Sequence, residues 1–434
     1  MKRMTIVCLL LSLLFAGAVA GATQISFWHP WGPGTTHAIA VEQIAEAFEK
    51  THSEIDVEVV ACGGAGDEIN KFLVAVASGT PPDLAIMGGL NVEWIESGIL
   101  QPLTVYFDRD GLGPENFYPG VYEAMQYDGE LWTVPFELFV RTWQLVINKQ
   151  IFSEAGLDPC VSPETVYDLE ELDRKLTVKD TNDRITRVGM YPFDSWGQWN
   201  AFSQWVYRFG GDFYDHSSNK LSIASEENVK ALDWLNNWYQ RVGHANYQTS
   251  TLAGAFNNSG YLFATEKVAM SLWVNSFAPA VNEFAAGRPV EYRTAVLPYH
   301  PDIQKYDGIE VVCDWAFSIP SGATYPEEAW EFIKFWITSD EAANLLGETV
   351  GALTICRSNP YEEVLLQEPD LFGAFIEYLG HACAPKPPVA GLHSLPALIN
   401  EVIPQVYREE LTPSAALARI EKRVQIDVDE LQQK

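Results

Sequence analysis

Phe72–Met87 reads FLVAVASGTPPDLAIM, and the fold turns on how that stretch is punctuated. Phe72, Leu73 and Val76 continue a spacing begun at Ile69, which lines one face of a helix opened by Asp67. Gly79 stops the helix, Pro81-Pro82 prevent its resumption, and Asp83 to Met87 follows as a short apolar strand. Asp83 is read as a cap on local backbone at the strand's start. Toward the N-terminus, Ile55–Val60 (IDVEVV) is a second strand. Val41, Ile44, Ala45 and Phe48 mark a helix before it, and Ile25–Trp28 is the first strand. The order β-α-β-α-β argues for a parallel sheet with right-handed crossovers. Ligands of such sheets gather off the carboxyl ends of the strands.

The middle of the chain reads as a second α/β unit. Leu145–Ile147 and Val268–Trp273 are strand candidates, with Tyr292–Leu297 and Val311–Ile319 after them. Ser162-Pro163 opens a helix carrying Val166, Leu169 and Leu172, and Ser225 caps another with Val229, Leu232 and Leu235 inward. Pro326 starts a helix with Ala329, Phe332, Ile333 and Trp336 on one face, and a last helix spans Pro413–Gln432. No internal repeat, low-complexity tract or long linker interrupts the pattern.

Residues 1–22 have a basic start at Lys2-Arg3, an apolar run over Ile6–Phe15 and small residues at Ala18 and Ala20, as a secretory signal peptide does. Cys8 lies inside the apolar run, so a lipid-anchored cysteine is not expected and the protein should be periplasmic or extracellular. The remaining cysteines are Cys62, Cys160, Cys313, Cys356 and Cys383, an odd set for an oxidising compartment. Cys356 with Cys383 is the pair to expect, and buried free thiols are the equal alternative. With 47% hydrophobic and 20% charged residues, the chain is globular. A net charge of −30 argues against nucleic acid and anionic lipid as partners.

Several chemistries lack their residues. The eight histidines form no HExxH or close cluster, so no metal site is expected. Asp180-Thr181-Asn182-Asp183 hints at calcium, but Tyr191 stands where a hand-type loop needs glutamate. Gly63-Gly64-Ala65-Gly66 resembles a phosphate loop, yet Asp67 and Glu68 put negative charge where phosphate would sit. No GxSxG elbow occurs. No cofactor is expected.

Ordered segments along the chain resemble one family: ISFWHPWG, FLVAVASGTPPDLAIM, GILQPL, YDGELWTVPF, LVINKQIFSEAGLD, YRFGGDF, FATEKVAMSLW, AVLP and AFSIPSGATYPEEAWEFIKFWITSDEAANLL. Together they resemble the extracellular solute-binding proteins of ATP-driven (ABC) importers, in their sugar-binding, maltose-binding-protein-like group. The resemblance implies a periplasmic binding protein type II fold: two α/β lobes joined by a hinge, with the ligand cleft between them. It places 23–139 and 293–339 in the first lobe, and 140–292 and 340–434 in the second. It implies a non-catalytic monomer that binds a sugar or oligosaccharide and delivers it to transmembrane permease subunits. A non-sugar solute such as glycerol phosphate, and a secreted glycosidase, are the alternatives.

A sugar presents C–H faces and a ring of hydroxyls, which call for flat aromatic rings and planar polar groups. Fourteen tryptophans supply candidates. Trp31 and His29 follow the first strand, Trp28 reading as buried, and Met87 ends the third. Glu137, Arg141 and Trp143 fall on the first hinge crossing that the resemblance implies; Arg141 either forks onto hydroxyls or pairs with Glu137. Asp194, Trp196 and Trp199 share a short window, the two tryptophans three apart as on a helix face. Trp273, Asn275 and Phe277 lie on one side of an extended segment, where the resemblance implies a sugar-stacking aromatic, Trp273 or Phe277. The resemblance also implies ligand contacts at Asp314 and Trp315, and at His393.

Overall fold

The computed structural model describes residues 22–64, 67–140, 143–193, 197–243, 259–273, 290–304, 311–312, 315–382, 385, 388–389, 391–392 and 394–432. The signal-peptide reading of 1–22 therefore falls almost wholly outside the described residues.

Strands β1 (Thr23–His29), β2 (Ile55–Ala61) and β3 (Leu84–Ile86) are parallel, with β1 central: Ile25 faces Val57, and Phe27 faces Leu84. Helix α1 (Thr36–Thr51) connects β1 to β2, and α2 (Asp67–Ala77) connects β2 to β3. Thr35 caps α1 by accepting the Ala38 amide at 3.3 Å, and Val41, Ile44, Ala45 and Phe48 are its buried face. Two later strands complete the sheet. Ala316–Ser318 runs antiparallel beside β3, and Val134–Pro135 pairs with it on the outside. The second sheet orders Tyr292–Val296, Gln144–Asn148, Val268–Trp273, Ile185–Tyr191 and Val178–Lys179.

Each sheet has its own hydrophobic core, so the protein has two α/β lobes. Two boundaries differ from those expected. Tyr292–Val296 lies in the second sheet, with Tyr292 opposite Asn148, so the chain returns to the first lobe only after this strand. The segment from Ala342 to Tyr378 packs into the first core instead of the second, because the helix Asp340–Val350 lies along α1. Leu395–Val428 supplies the second core. The single strand expected over Val311–Ile319 is also two pieces. Val311–Val312 pairs with Phe139–Val140 in a separate ribbon, and Ala316–Ser318 joins the first sheet.

Cys356 is a free, buried thiol in the first core, so the Cys356–Cys383 pair does not form. It packs as a small apolar side chain, and burial pushes its thiol up to about 12. Cys383 and Cys313 lie outside the described residues. No helix among the described residues is long and apolar enough to cross a membrane.

Asp83 closes the first lobe locally. One carboxylate oxygen accepts the Ser26 amide (2.9 Å) and hydroxyl (3.1 Å). The other accepts the Thr324 and Tyr325 amides, each at 2.9 Å, at the entry to the helix Pro326–Thr338. The charge thereby meets four donors from two separate segments of the chain. Asp83→Ala removes the acceptor of these partly buried amides and should lower unfolding free energy by about 1–3 kcal/mol. Urea denaturation measures this, and a loss below about 0.5 kcal/mol would contradict the capping role.

Candidate ligand-binding site

The carboxyl ends of β1 and β3 share one edge of the first sheet with two further chain segments. The Ala316 amide donates to Gly88 O at 3.1 Å, and the Phe136 amide donates to Trp315 O at 2.9 Å. Antiparallel pairing thus brings the start of Ala316–Ser318 and the end of Val134–Pro135 to the edge where β1 and β3 finish. That edge is the place topology reserves for ligands.

An aromatic group assembles there. The Trp31 ring lies 4.9 Å from His37 (stacked), 4.6 Å from Phe136, 5.9 Å from Trp315 and 5.8 Å from His29. Trp31 is half-buried, whereas Trp315 is 37% exposed, an unusual position for the largest apolar side chain. Glu137 sits beside them, its Oε1 at 3.8 Å from Nε2 of His37. Its Oε2 is buried without a hydrogen-bond partner, as is Nδ1 of His29. Two polar atoms left unmet at an aromatic edge are what a hydroxylated ligand would satisfy.

His29 is 2% exposed, and burial lowers its pKa to about 4, so its imidazole is neutral at pH 7. Neutral imidazole both donates and accepts, as a sugar hydroxyl does.

Four of the residues marked from sequence, His29, Trp31, Glu137 and Trp315, come together here. Three others do not. Met87, one residue beyond β3, is buried in a cluster with Cys62, Phe72 and Ile95. Trp143 and Trp273 belong to the second core, Trp143 just before the strand Gln144–Asn148 and Trp273 at the end of Val268–Trp273. Trp199 is half-buried near the start of the helix Gln198–Arg208, with its ring 5.0 Å from Phe213. Arg141, Asp194, Trp196, Asn275, Phe277, Asp314 and His393 lie outside the described residues. His37 and Phe136 were not singled out. Both follow a strand's carboxyl end within the crossover segment, and that position was the available signal.

The lobes also touch across this side. The Gly391 amide, beside the second core, donates to Glu93 of helix α3 (Val92–Glu96) at 2.9 Å.

Two α/β lobes, with an exposed tryptophan and an unmet carboxylate at a carboxyl strand edge, fit a two-lobed binding protein. The sequence pattern of the bacterial extracellular solute-binding proteins matches residues 34–343, and the chain belongs to that family. It is similar to the maltotriose-binding protein of Pyrococcus abyssi, at 23% identity over 86% of this chain and 76% of that protein. It is also similar to the sn-glycerol-3-phosphate-binding periplasmic protein UgpB of Salmonella typhimurium, at 22% identity over 96% of this chain and 94% of that one. Among solved structures, CpMnBP1 with mannotriose bound aligns with a TM-score of 0.77 at 23% identity, over 93% of this chain and all of that one. Lmo0181 of Listeria monocytogenes in complex with cycloalternan aligns at 0.76 and 22% identity, over 93% and 98%.

His29 gives a pH signature. The unfolded histidine titrates near 6.5 and the folded one near 4, so the unfolded chain binds the proton more readily between those values. The stability present above pH 6.5 should fall on acidification toward pH 4, by at most about 3 kcal/mol from this group. Urea titrations of wild type and His29→Gln at pH 7, 5.5 and 4.5 isolate the contribution. Equal slopes in the two proteins would show that His29 protonates freely.

Proposed function

We propose that the protein captures a neutral sugar or oligosaccharide outside the cytoplasmic membrane and delivers it, as a monomer, to the permease subunits of an ABC importer. One observation carries the sugar reading. Trp315 is exposed, with the half-buried Trp31 ring 5.9 Å from it, beside a carboxylate with an unmet oxygen and a neutral histidine. Rings take the C–H faces of a pyranose, and a carboxylate accepts from its hydroxyls.

The same group disfavours a phosphate ester, the ligand named for the UgpB relatives. Phosphate binds at helix N-termini and cationic clusters. Here Glu137 already pairs with His37 in the first turn of α1, so the positive end of that helix faces a carboxylate of the protein's own. Adding a dianion would set like charges together in a chain already at −30.

A hydrolytic role is not proposed. A glycosidase pair needs two carboxylates roughly 5–9.5 Å apart on either side of the scissile bond. Among the described residues the ionisable group paired with Glu137 is His37, and the named relatives are binding proteins. Trp199, packed against the second core, is proposed for the facing wall, and Arg141, Asp194, Trp196, Asn275, Phe277, Asp314 and His393 are kept as proposed ligand contacts. Lobe closure on the ligand would then need about 5.5 kcal/mol of preference for the closed form to reverse a 1:99 population.

Calorimetric titration tests the reading. Malto- and manno-oligosaccharides are the first panel, with glycerol phosphate alongside. A saccharide should bind at micromolar concentration, and Trp315→Ala should weaken it about tenfold, the worth of one aromatic stack of up to 1.5 kcal/mol. Binding of glycerol phosphate with none of any saccharide would overturn the sugar assignment. Turnover of a chromogenic glycoside by the purified protein would overturn the non-catalytic one.

A further inference from the structure

Arg208 is the last residue of the helix Gln198–Arg208, and it is 1% exposed. Its Nε, Nη1 and Nη2 are all buried, and none has a hydrogen-bond acceptor. The guanidinium carbon lies 4.3 Å from the Tyr299 ring centre and 5.7 Å from that of Tyr378. These rings take the guanidinium's electrostatics only in part, because the N–H bonds radiate from its edge.

The surroundings are where the chain passes between the lobes. Tyr378 Oη accepts the Leu297 amide at 2.6 Å and donates to Trp143 O at 3.1 Å. Gln204, one turn before Arg208, accepts the Trp143 amide at 3.0 Å. Arg208 O accepts the His300 amide at 2.8 Å. Trp143 leads into the strand Gln144–Asn148, and Leu297 leaves the strand Tyr292–Val296. Every backbone group named here has a partner, and the guanidinium does not.

That imbalance has one chemical resolution. Arginine does not shed its proton in a protein. A lone buried charge carries a penalty of several kcal/mol, and a desolvated cation–π contact returns only about 2. No aspartate or glutamate among the described residues forms an ion pair with Arg208. We propose that the guanidinium holds a small monovalent anion of the halide class, at the end of this helix and beside the two chain crossings. A single cation balances a single charge, which favours chloride over phosphate. The site is separate from the ligand edge at Trp31 and Trp315, and the inference does not rest on the sugar reading.

The test uses the whole protein without ligand. Melting is followed in sodium gluconate while chloride, bromide or inorganic phosphate replaces gluconate at constant ionic strength. Chloride and bromide should raise the melting temperature by about 3 °C with saturation, as mass action requires for a site in the native state alone. Arg208→Met should lose that response, and Arg208→Lys should keep a weaker one. Should Arg208→Met fail to fold, wild-type crystals soaked in bromide decide. An anomalous peak beside the guanidinium nitrogens supports the site, and its absence, with water there instead, overturns it. A response that fails to saturate, persists in Arg208→Met, or occurs with phosphate and not halide also overturns it.

Discussion

The peptide groups flanking Phe136 are held from both sides, and the ligand edge depends on that. The Phe136 amide donates to the Trp315 carbonyl at 2.9 Å, and its own carbonyl accepts the Trp336 indole N–H at 2.9 Å. The first bond sets Trp315 beside Phe136 and Glu137. The second ties this edge to the helix Pro326–Thr338, whose Trp336 is wholly buried in the first core. A side chain as exposed as Trp315 thus rests on backbone that is not free to move. Such pre-organisation reduces the ordering cost that binding would otherwise carry.

Electrostatics at this edge are arranged by burial and by a short-range pair, not by net charge. His29 is kept neutral by desolvation, and His37 and Glu137 balance each other when the imidazole is protonated. The remaining carboxylate oxygen is an acceptor without a donor. A neutral, hydroxyl-rich molecule answers that directly, while an anion would compete with the carboxylate for the same donors.

Much of the fold is legible in the sequence, because periodicity and breakers agree from Ile25 to Met87. The first lobe's strand–helix order follows from them, and so does Asp83 as a cap. What is less legible is where the chain changes lobe. Val311–Ile319 is mostly apolar, and one polar residue at Asp314 does not show that the two ends of the stretch pair with different partners. Likewise 340–379 carries helix signals, but only packing against α1 assigns it to the first lobe. Among the tryptophans, Trp143, Trp273 and Trp315 all stand at strand ends. Strands buried on both faces lose the alternation that would say which ring is exposed, so sequence could not separate the first two from the third. His37 was hidden by its place in the first turn of a helix read for its apolar face.

The account makes the edge at Trp31, Glu137 and Trp315 one wall of the ligand cleft, and a crystal structure of the protein with a bound oligosaccharide tests that claim most directly. A sugar ring should lie against the Trp31 or Trp315 face with a hydroxyl donating to Oε2 of Glu137. A bound saccharide that leaves these three side chains untouched, with its contacts confined to the second lobe, would contradict the account.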